Sequence, residues 1–289
     1  MSSPLWLITG ASSGIGLSLC LRALSAGHRV VGSVRNRETA SAAVEKLEKA
    51  GGIIVEMDMT ESQTSIADKV QSVVKSMGPI DYLVNNAGYS WLGACEHLSE
   101  KDASLQMATN LFGPLFTLQA VLPSMRAKAS GTIVNITSVA AQNPNPACSI
   151  YSASKAALEA LSESLAKEVA QHGIRVLIVE PGAFRTNFLQ AVNKKDTETV
   201  VIPPHYADTV GAAMSLFAAA DGKQIGDPEK AAERIFEAVT RQGMVGGLDV
   251  QRLVLGTDSW ERMRKTGIKF LEELEIQKES AASTAFTAQ

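Results

Sequence analysis

The feature that most restricts the fold of this 289-residue chain is a regular alternation of short apolar runs with segments of helical periodicity. Segments such as 38–50 and 152–171 repeat apolar side chains at the spacing of amphipathic helices. The apolar runs are rich in β-branched residues, as strands are. They lie near residues 5–9, 29–34, 53–57, 81–85, 131–137 and 174–180. This alternation predicts right-handed βαβ crossovers and an α/β fold with a doubly wound parallel sheet covered by helices on both faces.

The alternation loosens after the sixth run, but nothing there indicates a second domain. Residues 184–226 mix apolar and polar side chains and are too few to form a core of their own, so we interpret them as a substrate lid. Helical periodicity returns near 228–241 and 258–278, and the small polar residues of 279–289 predict a flexible tail. The prediction is therefore a single domain over residues 1–289.

Composition and cysteine usage exclude several classes of protein. Hydrophobic residues make up 45% of the chain and charged residues 20%, with a net charge of −3, which gives no reason to expect nucleic acid or an anionic membrane as a partner. No apolar run approaches the ~18 residues of a membrane span. Cys20, Cys95 and Cys148 are widely spaced, so we expect buried thiols in a reducing compartment and no metal site. Because a basic, cleavable leader is absent, the expected location is cytoplasmic.

The first apolar run leads directly into TGASSGIG, residues 9–16. Its glycines, Gly10, Gly14 and Gly16, allow positive φ angles and a close approach of the backbone to a ligand. The amphipathic segment that follows predicts a helix whose N–H groups and positive dipole end face the turn, where an anion would bind. The spacing departs from the dinucleotide fingerprint G-x-G-x-x-G, so from these residues alone a turn that binds nothing is also open.

Residues capable of chemistry follow the predicted ends of three strands. Strand four ends in NNAG at 85–88, strand five ends at Ser138, and strand six ends in PGAFRT at 181–186. Ligands bind at this edge of doubly wound sheets. The helix after strand five begins with YSASK, which sets Tyr151 and Lys155 four residues apart and on one helix face.

The Tyr151 and Lys155 pair has the chemistry of an acid–base catalyst. A free tyrosine has a pKa of ~10, so its use near neutral pH requires a shift of about three units, or about 4 kcal/mol. One cation about 4 Å away supplies roughly 4 kcal/mol at an effective dielectric constant of ~20. We therefore expect Lys155 to lower the pKa of Tyr151, although a solvated helix face has the same spacing.

Taken together, these motifs resemble the short-chain dehydrogenase/reductase family in order and spacing. The resemblance covers approximately residues 5–190. It rests on TGASSGIG, NNAG, Asn110, Ser138, Tyr151-x-x-x-Lys155 and PG-x-x-x-T. It implies a Rossmann-type fold and an oxidoreductase that interconverts a ketone or aldehyde and a secondary alcohol.

The resemblance also implies a role for each member of the catalytic set. Tyr151 would protonate the carbonyl oxygen during reduction or deprotonate the alcohol during oxidation. Ser138 would hydrogen-bond the same oxygen and stabilise its developing charge. Lys155 would hold the ribose hydroxyls of a nicotinamide cofactor, and Asn110, inside a predicted helix, would hold the water of a proton relay.

A dinucleotide site around the glycine turn is implied as well. Gly10 and Gly16 would let the backbone approach the dinucleotide, Ile15 would cap the pyrophosphate, and two serine hydroxyls would lie near the adenosine ribose. Asp58 would accept from the adenine amino group, although an ordinary turn or N-cap aspartate would stand in the same place. The implied cofactor-binding residues are Gly10, Ser12, Ser13, Gly14, Ile15, Gly16, Arg35, Asp58, Met59, Asn86, Ala87, Gly88, Tyr151, Lys155, Pro181, Gly182, Ala183 and Thr186.

Charge at the end of strand two favours NADP(H) over NAD(H). An NAD site places an acidic residue there to bind the ribose 2′-hydroxyl. Here Val34 stands at that position and Arg35 follows, with Arg37 as a second candidate. A guanidinium suits a 2′-phosphate, although a solvated surface arginine is the plainer alternative.

The candidate substrate pocket is mostly apolar and aromatic. Its expected substrate contacts are Tyr89, Trp91, Asn143, Phe184 and Phe188. Further candidates are Leu92, Cys95, Ala140, Ala141, Pro144, Leu189, Val192, Ile202, Tyr206, Met214 and Phe217. The nearby cations are Arg185, Lys194 and Lys195. We therefore expect a carbonyl on an apolar, fairly bulky skeleton, such as a polyketide, terpenoid or steroid-like intermediate of secondary metabolism, although these residues would also serve as packed core.

Residues 227–256 resemble a subgroup of the family that includes hydroxysteroid dehydrogenases. The short glycine-rich final strand of many family members is not evident, so the oligomeric state stays open, with a homodimer as the favoured assembly. Two other functions fit the same motifs. One is a regulator that senses NADP(H), and the other is an enzyme that retains the cofactor and catalyses a non-redox step on a small-molecule substrate.

Overall fold

A computed structural model describes residues 3–189 and 202–286. All six predicted apolar runs are strands, and a seventh strand follows near the end of the chain. The strands are Leu5–Ile8 (β1), Arg29–Val34 (β2), Ile53–Glu56 (β3), Tyr82–Asn85 (β4), Gly131–Ile136 (β5), Ile174–Pro181 (β6) and Arg252–Leu255 (β7). They form one parallel sheet in the order β3-β2-β1-β4-β5-β6-β7. The prediction of a doubly wound parallel sheet is confirmed.

Helices cover both faces of the sheet. They are Gly14–Ser25 (α1), Ser41–Lys49 (α2), Gln63–Met77 (α3), Glu100–Met107 (α4), Gly113–Lys128 (α5), Val139–Gln142 (α6), Ser149–Val169 (α7), Ala212–Ala220 (α8), Pro228–Thr240 (α9) and Thr257–Ala282 (α10). Side chains alternate along β1: Trp6 and Ile8 enter the core beneath α1 and α9, whereas Leu5 and Leu7 enter the core beneath α3, α5 and α7. This two-sided burial explains why the strands are continuously apolar.

The strand order reverses between β1 and β4. The chain runs from β1 outward to β3 and then returns to pair β4 with β1, with Leu7 opposite Leu83. Ligands bind in the crevice at such a switch point. The glycine turn after β1 and the NNAG loop after β4 meet at this crevice, so the topology brings two of the sequence motifs together.

The sequence patterns do not predict the seventh strand. β7 has the sequence RLVL, which is apolar rather than glycine-rich, and it pairs with β6 so that Leu253 lies opposite Val179. Four residues carry too little periodicity to be recognised as a strand. The last helix, α10, also continues to Ala282, so helix persists into the segment expected to be a flexible tail.

The described residues contain no helix that is long and apolar enough to cross a membrane. Within the same ranges, no group of three or more potential metal-ligating residues was found. Cys20 and Cys148 are buried free thiols, as expected, and burial raises the pKa of the Cys148 thiol to about 11. Cys95 is exposed, contrary to the expectation of buried thiols, because it begins a short 3-10 turn at the surface.

Candidate active site

The glycine turn is shaped by contacts with other loops of the crevice. Gly10 has a φ of +69°, and a side-chain carbon there would lie 2.8 Å from the Ala87 Cα atom. Gly14 has a φ of +55°, and a side-chain carbon there would lie 2.9 Å from Thr186 Cγ2. A side chain at Gly16 would overlap the Asn86 amide. These glycines are therefore needed for close packing of the protein itself, in addition to the expected approach of a ligand.

Helix α1 begins at this turn with an open N-terminus. The N-cap residue, Ser13, makes no side-chain capping bond, and the first turn holds no acidic residue. The leading N–H groups of a helix lack intrahelical acceptors, and the dipole gives that end a positive potential. Ser12 is exposed beside it, whereas Ile15 packs against the core. The turn thus offers an anion a set of backbone donors.

Thr9 ties the glycine turn to the NNAG loop. Its Oγ1 atom accepts the backbone N–H groups of Asn86 and Ala87, both at 3.0 Å. Asn86 Nδ2 donates in return to the carbonyl oxygens of Thr9 at 2.9 Å and Gly10 at 3.1 Å. These bonds hold the two loops in one fixed arrangement.

Asn110 lies in a π-helical turn, residues 108–112, that joins α4 to α5. Its Nδ2 atom donates to the Tyr89 carbonyl and to Ser154 Oγ, both at 3.0 Å. Its Oδ1 atom accepts the Tyr89 N–H at 3.2 Å. A side-chain carbon at Gly88 would lie 3.2 Å from Asn110 Oδ1 and 3.3 Å from Lys155 Nζ. Asn110, Gly88 and Lys155 are thus brought together at one place in the crevice.

Ser138 and Tyr151 meet across the crevice. Ser138 is the N-cap of α6, where its hydroxyl accepts the Ala140 N–H at 3.1 Å. Burial raises the pKa of Tyr151 to about 12, and a hydrogen bond with Ser138 acts in the opposite direction. The Tyr151 ring lies 5.7 Å from the ring of Phe188, measured between centroids. The tyrosine therefore starts as a protonated acid between a hydroxyl and an aromatic wall.

Lys155 is buried on the same face of α7. It is 4% exposed, and its Nζ atom donates to the Ile136 carbonyl at 2.7 Å. Burial lowers the pKa of Lys155 to about 8, and the charge of Glu159 partly opposes that change. The net shift of the Tyr151 pKa is opposite to the expected lowering, because desolvation of the phenol outweighs the influences that lower it.

The turn after β6 is held by an aspartate that the sequence motifs did not indicate. Asp258 Oδ2 accepts the Ala183 N–H at 2.8 Å, and a side chain at Gly182 would overlap the Asp258 carboxylate. The Gly182 N–H donates to the Leu255 carbonyl at 2.9 Å. Asp258 stands 75 residues after Ala183, in the first turn of α10, and only the fold brings the two together.

The two candidate arginines after β2 differ in their surroundings. Arg37 donates to Glu48 Oε1 at 2.6 Å and to the Ile54 carbonyl at 3.1 Å. Arg35 is exposed, and within residues 3–189 and 202–286 its guanidinium has no hydrogen bond or ion pair. Arg35 is therefore the arginine whose donors are available to a ligand.

Asp58 and Met59 follow β3. Asp58 Oδ1 accepts the backbone N–H of Thr60 at 2.9 Å and its hydroxyl at 2.8 Å. Asp58 therefore acts as an ordinary turn aspartate, which was the alternative to a role in adenine binding. The turn uses only one of its two carboxylate oxygens. The Met59 side chain is buried in the core under α3 and α5.

The expected substrate contacts have different surroundings. Phe188 faces Tyr151, whereas Trp91 is 8% exposed and folds over Gly93. Phe184 packs against the core and forms a bridge with Gly226. The Asn143 amide is occupied, since Nδ2 donates to Thr266 Oγ1 at 2.9 Å and Oδ1 accepts from Arg262 Nε at 2.9 Å. Tyr89 is half-buried, and burial raises its pKa to about 12.

The segment interpreted as a lid packs on the loop after Trp91. Ile202, Tyr206 and Met214 surround Val210 in a small apolar cluster with Ala94 and Ala147. Arg185, one of the cations of this segment, donates to the Gln224 carbonyl at 3.2 Å. Three residues named for the pocket lie outside the described ranges: Val192, Lys194 and Lys195.

The sheet order and this crevice define an α/β protein of the Rossmann type with a polar site at its switch point. The profile described as short chain dehydrogenase matches residues 5–197, which is most of the chain. The protein belongs to the short-chain dehydrogenase/reductase family and is an oxidoreductase of that family.

Individual relatives cover most of the chain. Oxidoreductase claN of Passalora fulva is 44% identical over 187 residues, 64% of this chain and 84% of the relative. The 3-ketodihydrosphingosine reductase of Bacteroides thetaiotaomicron is 35% identical over 265 residues, 90% of this chain and 94% of the relative. Sequence identities of 44% and 35% agree with membership of the same family.

Solved structures share the architecture. A short-chain dehydrogenase from Streptomyces avermitilis is 35% identical with a TM-score of 0.83, covering 99% of this chain and 100% of its own. A metagenomic short-chain oxidoreductase in complex with NADP is 27% identical with a TM-score of 0.68, covering 88% and 97%. A Burkholderia phymatum family member in complex with NAD, at 21% identity and a TM-score of 0.75 over 100% and 97%, shows the fold alone. The architecture of this chain is therefore that of solved short-chain dehydrogenases.

Proposed function

We propose that this protein is an NADP(H)-dependent oxidoreductase that interconverts a ketone or aldehyde and a secondary alcohol on an apolar, fairly bulky substrate. The observation that carries the proposal is the convergence of Ser138, Tyr151 and Lys155 beside the glycine turn at the switch point of the sheet. A hydroxyl, a phenol and an ammonium at one place supply a hydrogen bond, a proton and a positive charge to one reacting oxygen.

The residues around the glycine turn fit an NADP(H) cofactor. The uncapped N-terminus of α1 suits a pyrophosphate. The guanidinium of Arg35, which has no partner in the described part of the chain, suits a 2′-phosphate, and Val34 offers no carboxylate that would repel one. Lys155, close to Gly88, would hold the nicotinamide ribose. When bound, the cofactor supplies the hydride, and the protein supplies binding, orientation and proton transfer.

Each catalytic side chain has a task that its surroundings support. Ser138 donates to the substrate carbonyl oxygen and stabilises the negative charge that develops there. Tyr151 is protonated at neutral pH because burial raises its pKa to about 12, so it can give its proton to that oxygen during reduction. Lys155 carries a positive charge below its pKa of about 8 and stabilises the phenolate that remains. Asn110 fixes the loop that carries Tyr89 and Gly88.

An apolar substrate fits the walls near Tyr151. Phe188 lies against the ring of Tyr151. Arg185, three residues before Phe188, already donates to the Gln224 carbonyl. The relative from Bacteroides thetaiotaomicron is named for the reduction of 3-ketodihydrosphingosine, a ketone. We assign the cover of this pocket to the described parts of the segment interpreted as a lid, residues 184–189 and 202–226. Turnover of small charged sugars faster than apolar ketones would exclude this substrate class.

Binding of NADPH and NADH to the purified protein, followed by cofactor fluorescence, tests the proposal. One guanidinium–phosphate interaction is worth about 1.5–3 kcal/mol, which corresponds to about 10–100-fold in affinity. We expect tighter binding of NADPH than of NADH, and loss of this preference in Arg35→Ala. Arg37→Ala is the matched control, since Arg37 is bound to Glu48, and it should retain the preference. Equal losses in both variants would remove Arg35 as the phosphate reader, and no binding of either cofactor would refute the proposed function.

Assembly and location are two further parts of the proposal. We propose a homodimer, because Phe112, the residue before α5, is 45% exposed and stacks on Phe116. Sedimentation equilibrium of the purified protein distinguishes a dimer from a monomer. Free thiols support a cytoplasmic location, which fractionation of the source cells tests directly. A product that forms without loss of NADPH absorbance would instead indicate a non-redox enzyme that retains its cofactor.

A further inference from the structure

Two buried carboxyl groups lie beyond Lys155, one on α7 and one on β6. Glu159, on α7, is 3% exposed, and Glu180, near the end of β6, is fully buried. Neither belongs to the proposed catalytic set. Buried charges are costly unless they are paired and hydrogen-bonded, so their partners decide in what form they exist.

One guanidinium serves three carboxyl groups. Arg252 Nη1 donates to Glu180 Oε1 at 2.5 Å and to Glu159 Oε2 at 3.1 Å, while its Nη2 donates to Glu163. Gln142 donates to the same oxygen of Glu159. Among the described residues, Glu159 Oε1 and Glu180 Oε2 are left buried without a donor. One proton held between these two oxygens would satisfy both.

The charges around the pair favour one bound proton. Three ionised carboxylates exceed the two nearby cations, Arg252 and Lys155, by one negative charge, and a single proton makes the cluster neutral. Burial and the adjacent Glu159 raise the pKa of Glu180 to about 7, and the Arg252 guanidinium opposes this. A further acidic side chain at this end of β6 is Asp258 of α10, which accepts the N–H of the turn that follows β6.

We propose that Glu159 and Glu180 share one proton near neutral pH, and that the charge left on Glu159 keeps Lys155 protonated. Glu159 is then a positioning residue for hydride transfer, acting through Lys155, and in this respect the inference rests on the proposed function. Glu159 follows Lys155 by four residues, so the two side chains share one face of α7. Burial lowers the pKa of Lys155 to about 8, and the charge of Glu159 limits that fall.

Glutamine variants separate the roles of the two carboxyl groups. Glutamine has the shape of a protonated glutamate and can donate to the remaining carboxylate, so both Glu159→Gln and Glu180→Gln preserve the packing. Glu159→Gln confines the negative charge to Glu180, whereas Glu180→Gln confines it to Glu159, one turn from Lys155. Glu163→Gln is the matched control, because it removes a carboxylate from the same helix and the same Arg252, but from a side chain that is 46% exposed.

The pH dependence of kcat for ketone reduction is the first readout. Loss of a nearby opposite charge should lower the pKa of Lys155 by ~1 unit in Glu159→Gln, which gives a roughly fivefold lower kcat at pH 8 and little change at pH 6. Glu180→Gln and Glu163→Gln should keep the alkaline limb close to that of the wild type. Equal shifts in all three variants, or a loss in Glu159→Gln that is the same at every pH, would overturn the positioning role.

Two readouts need neither cofactor nor turnover. The infrared band of a protonated carboxylic acid should be present in the wild type at pH 6, disappear as the pH rises through about 7, and be missing from Glu159→Gln and Glu180→Gln at pH 6. NMR titration of the ¹⁵N-labelled Lys155 ammonium measures its pKa directly, which should fall in Glu159→Gln and stay close to the wild-type value in Glu180→Gln and Glu163→Gln. A wild type without the acid band refutes the shared proton whatever its activity. If the protein reduces no ketone but shows both the infrared acid band and the change in the Lys155 pKa, the proposed function is refuted. The coupling between the carboxyl pair and Lys155 is then still supported.

Discussion

Replacement of Gly10 by alanine tests whether the glycine turn is shaped by its contact with the NNAG loop. At a φ of +69°, alanine adopts a left-handed conformation that costs roughly 1–2 kcal/mol. The new carbon would also lie 2.8 Å from Ala87 Cα and 3.0 Å from Ala87 N, which are backbone atoms that cannot rotate away. Such overpacking costs about 1–3 kcal/mol, so we expect a total loss of about 3 kcal/mol in the free energy of unfolding.

Gly27 provides the matched control for this substitution. It follows the other end of α1, has a φ of +78°, and a side-chain carbon there would meet nothing within 4 Å. Gly27→Ala should therefore cost only the backbone term, about 1 kcal/mol. In thermal unfolding, about 2–4 °C per kcal/mol predicts a Tm lower by about 3 °C for Gly27→Ala and by about 6–12 °C for Gly10→Ala. NADPH affinity should fall in Gly10→Ala alone. If the two variants lose the same stability, the packing argument is wrong.

Three further outcomes follow from the same geometry. Asp258→Ala removes the acceptor of the Ala183 N–H, so it should lower the free energy of unfolding in urea by about 2 kcal/mol and weaken NADPH binding. Asp258→Asn should recover part of both losses. Unchanged NADPH binding in Asp258→Ala would contradict a role of Asp258 in shaping the turn after β6. The kcat of the wild type for reduction should fall above pH ~8 as Lys155, whose pKa burial lowers to about 8, loses its proton, and a flat profile to pH 10 would be inconsistent with this. The pKa of Glu180 is raised to about 7 in the folded protein, whereas in the unfolded chain the same group releases its proton near pH 4.5. The free energy of unfolding of the wild type, relative to that of Glu180→Gln, should therefore decline from pH 5 to pH 7. Equal pH slopes of Tm in the two proteins would disprove this prediction.

The sequence predicted those parts of the fold that local periodicity encodes. Each of the six apolar runs is a strand because continuous apolar character is what two-sided burial in a parallel sheet requires. The pairing of Tyr151 with Lys155 on one face followed from helical spacing alone. The convergence of the glycine turn with the NNAG loop followed from the position of the switch point.

Long-range contacts could not be predicted from local patterns. A glutamate on an amphipathic helix is normally exposed, yet Glu159 is buried because Arg252 of a strand far along the chain reaches it. Asp258 has the local signature of a helix-capping acid, and only the packing of α10 against the turn after β6 gives it the Ala183 N–H. The π-helical turn that directs Asn110 toward Tyr89 leaves no mark in the apolar pattern.

Transfer of deuterium from C4-deuterated NADPH to a ketone is the most direct test of the central claim that Tyr151, Ser138 and Lys155 support hydride transfer. With a panel of apolar ketones, mass spectrometry of the product should show deuterium on the new alcohol carbon, formed in step with the loss of NADPH absorbance. Tyr151→Phe should bind NADPH with nearly unchanged affinity and reduce the same ketone orders of magnitude more slowly, because it lacks only the transferable proton. Product without deuterium, or turnover by Tyr151→Phe close to that of the wild type, would contradict the account.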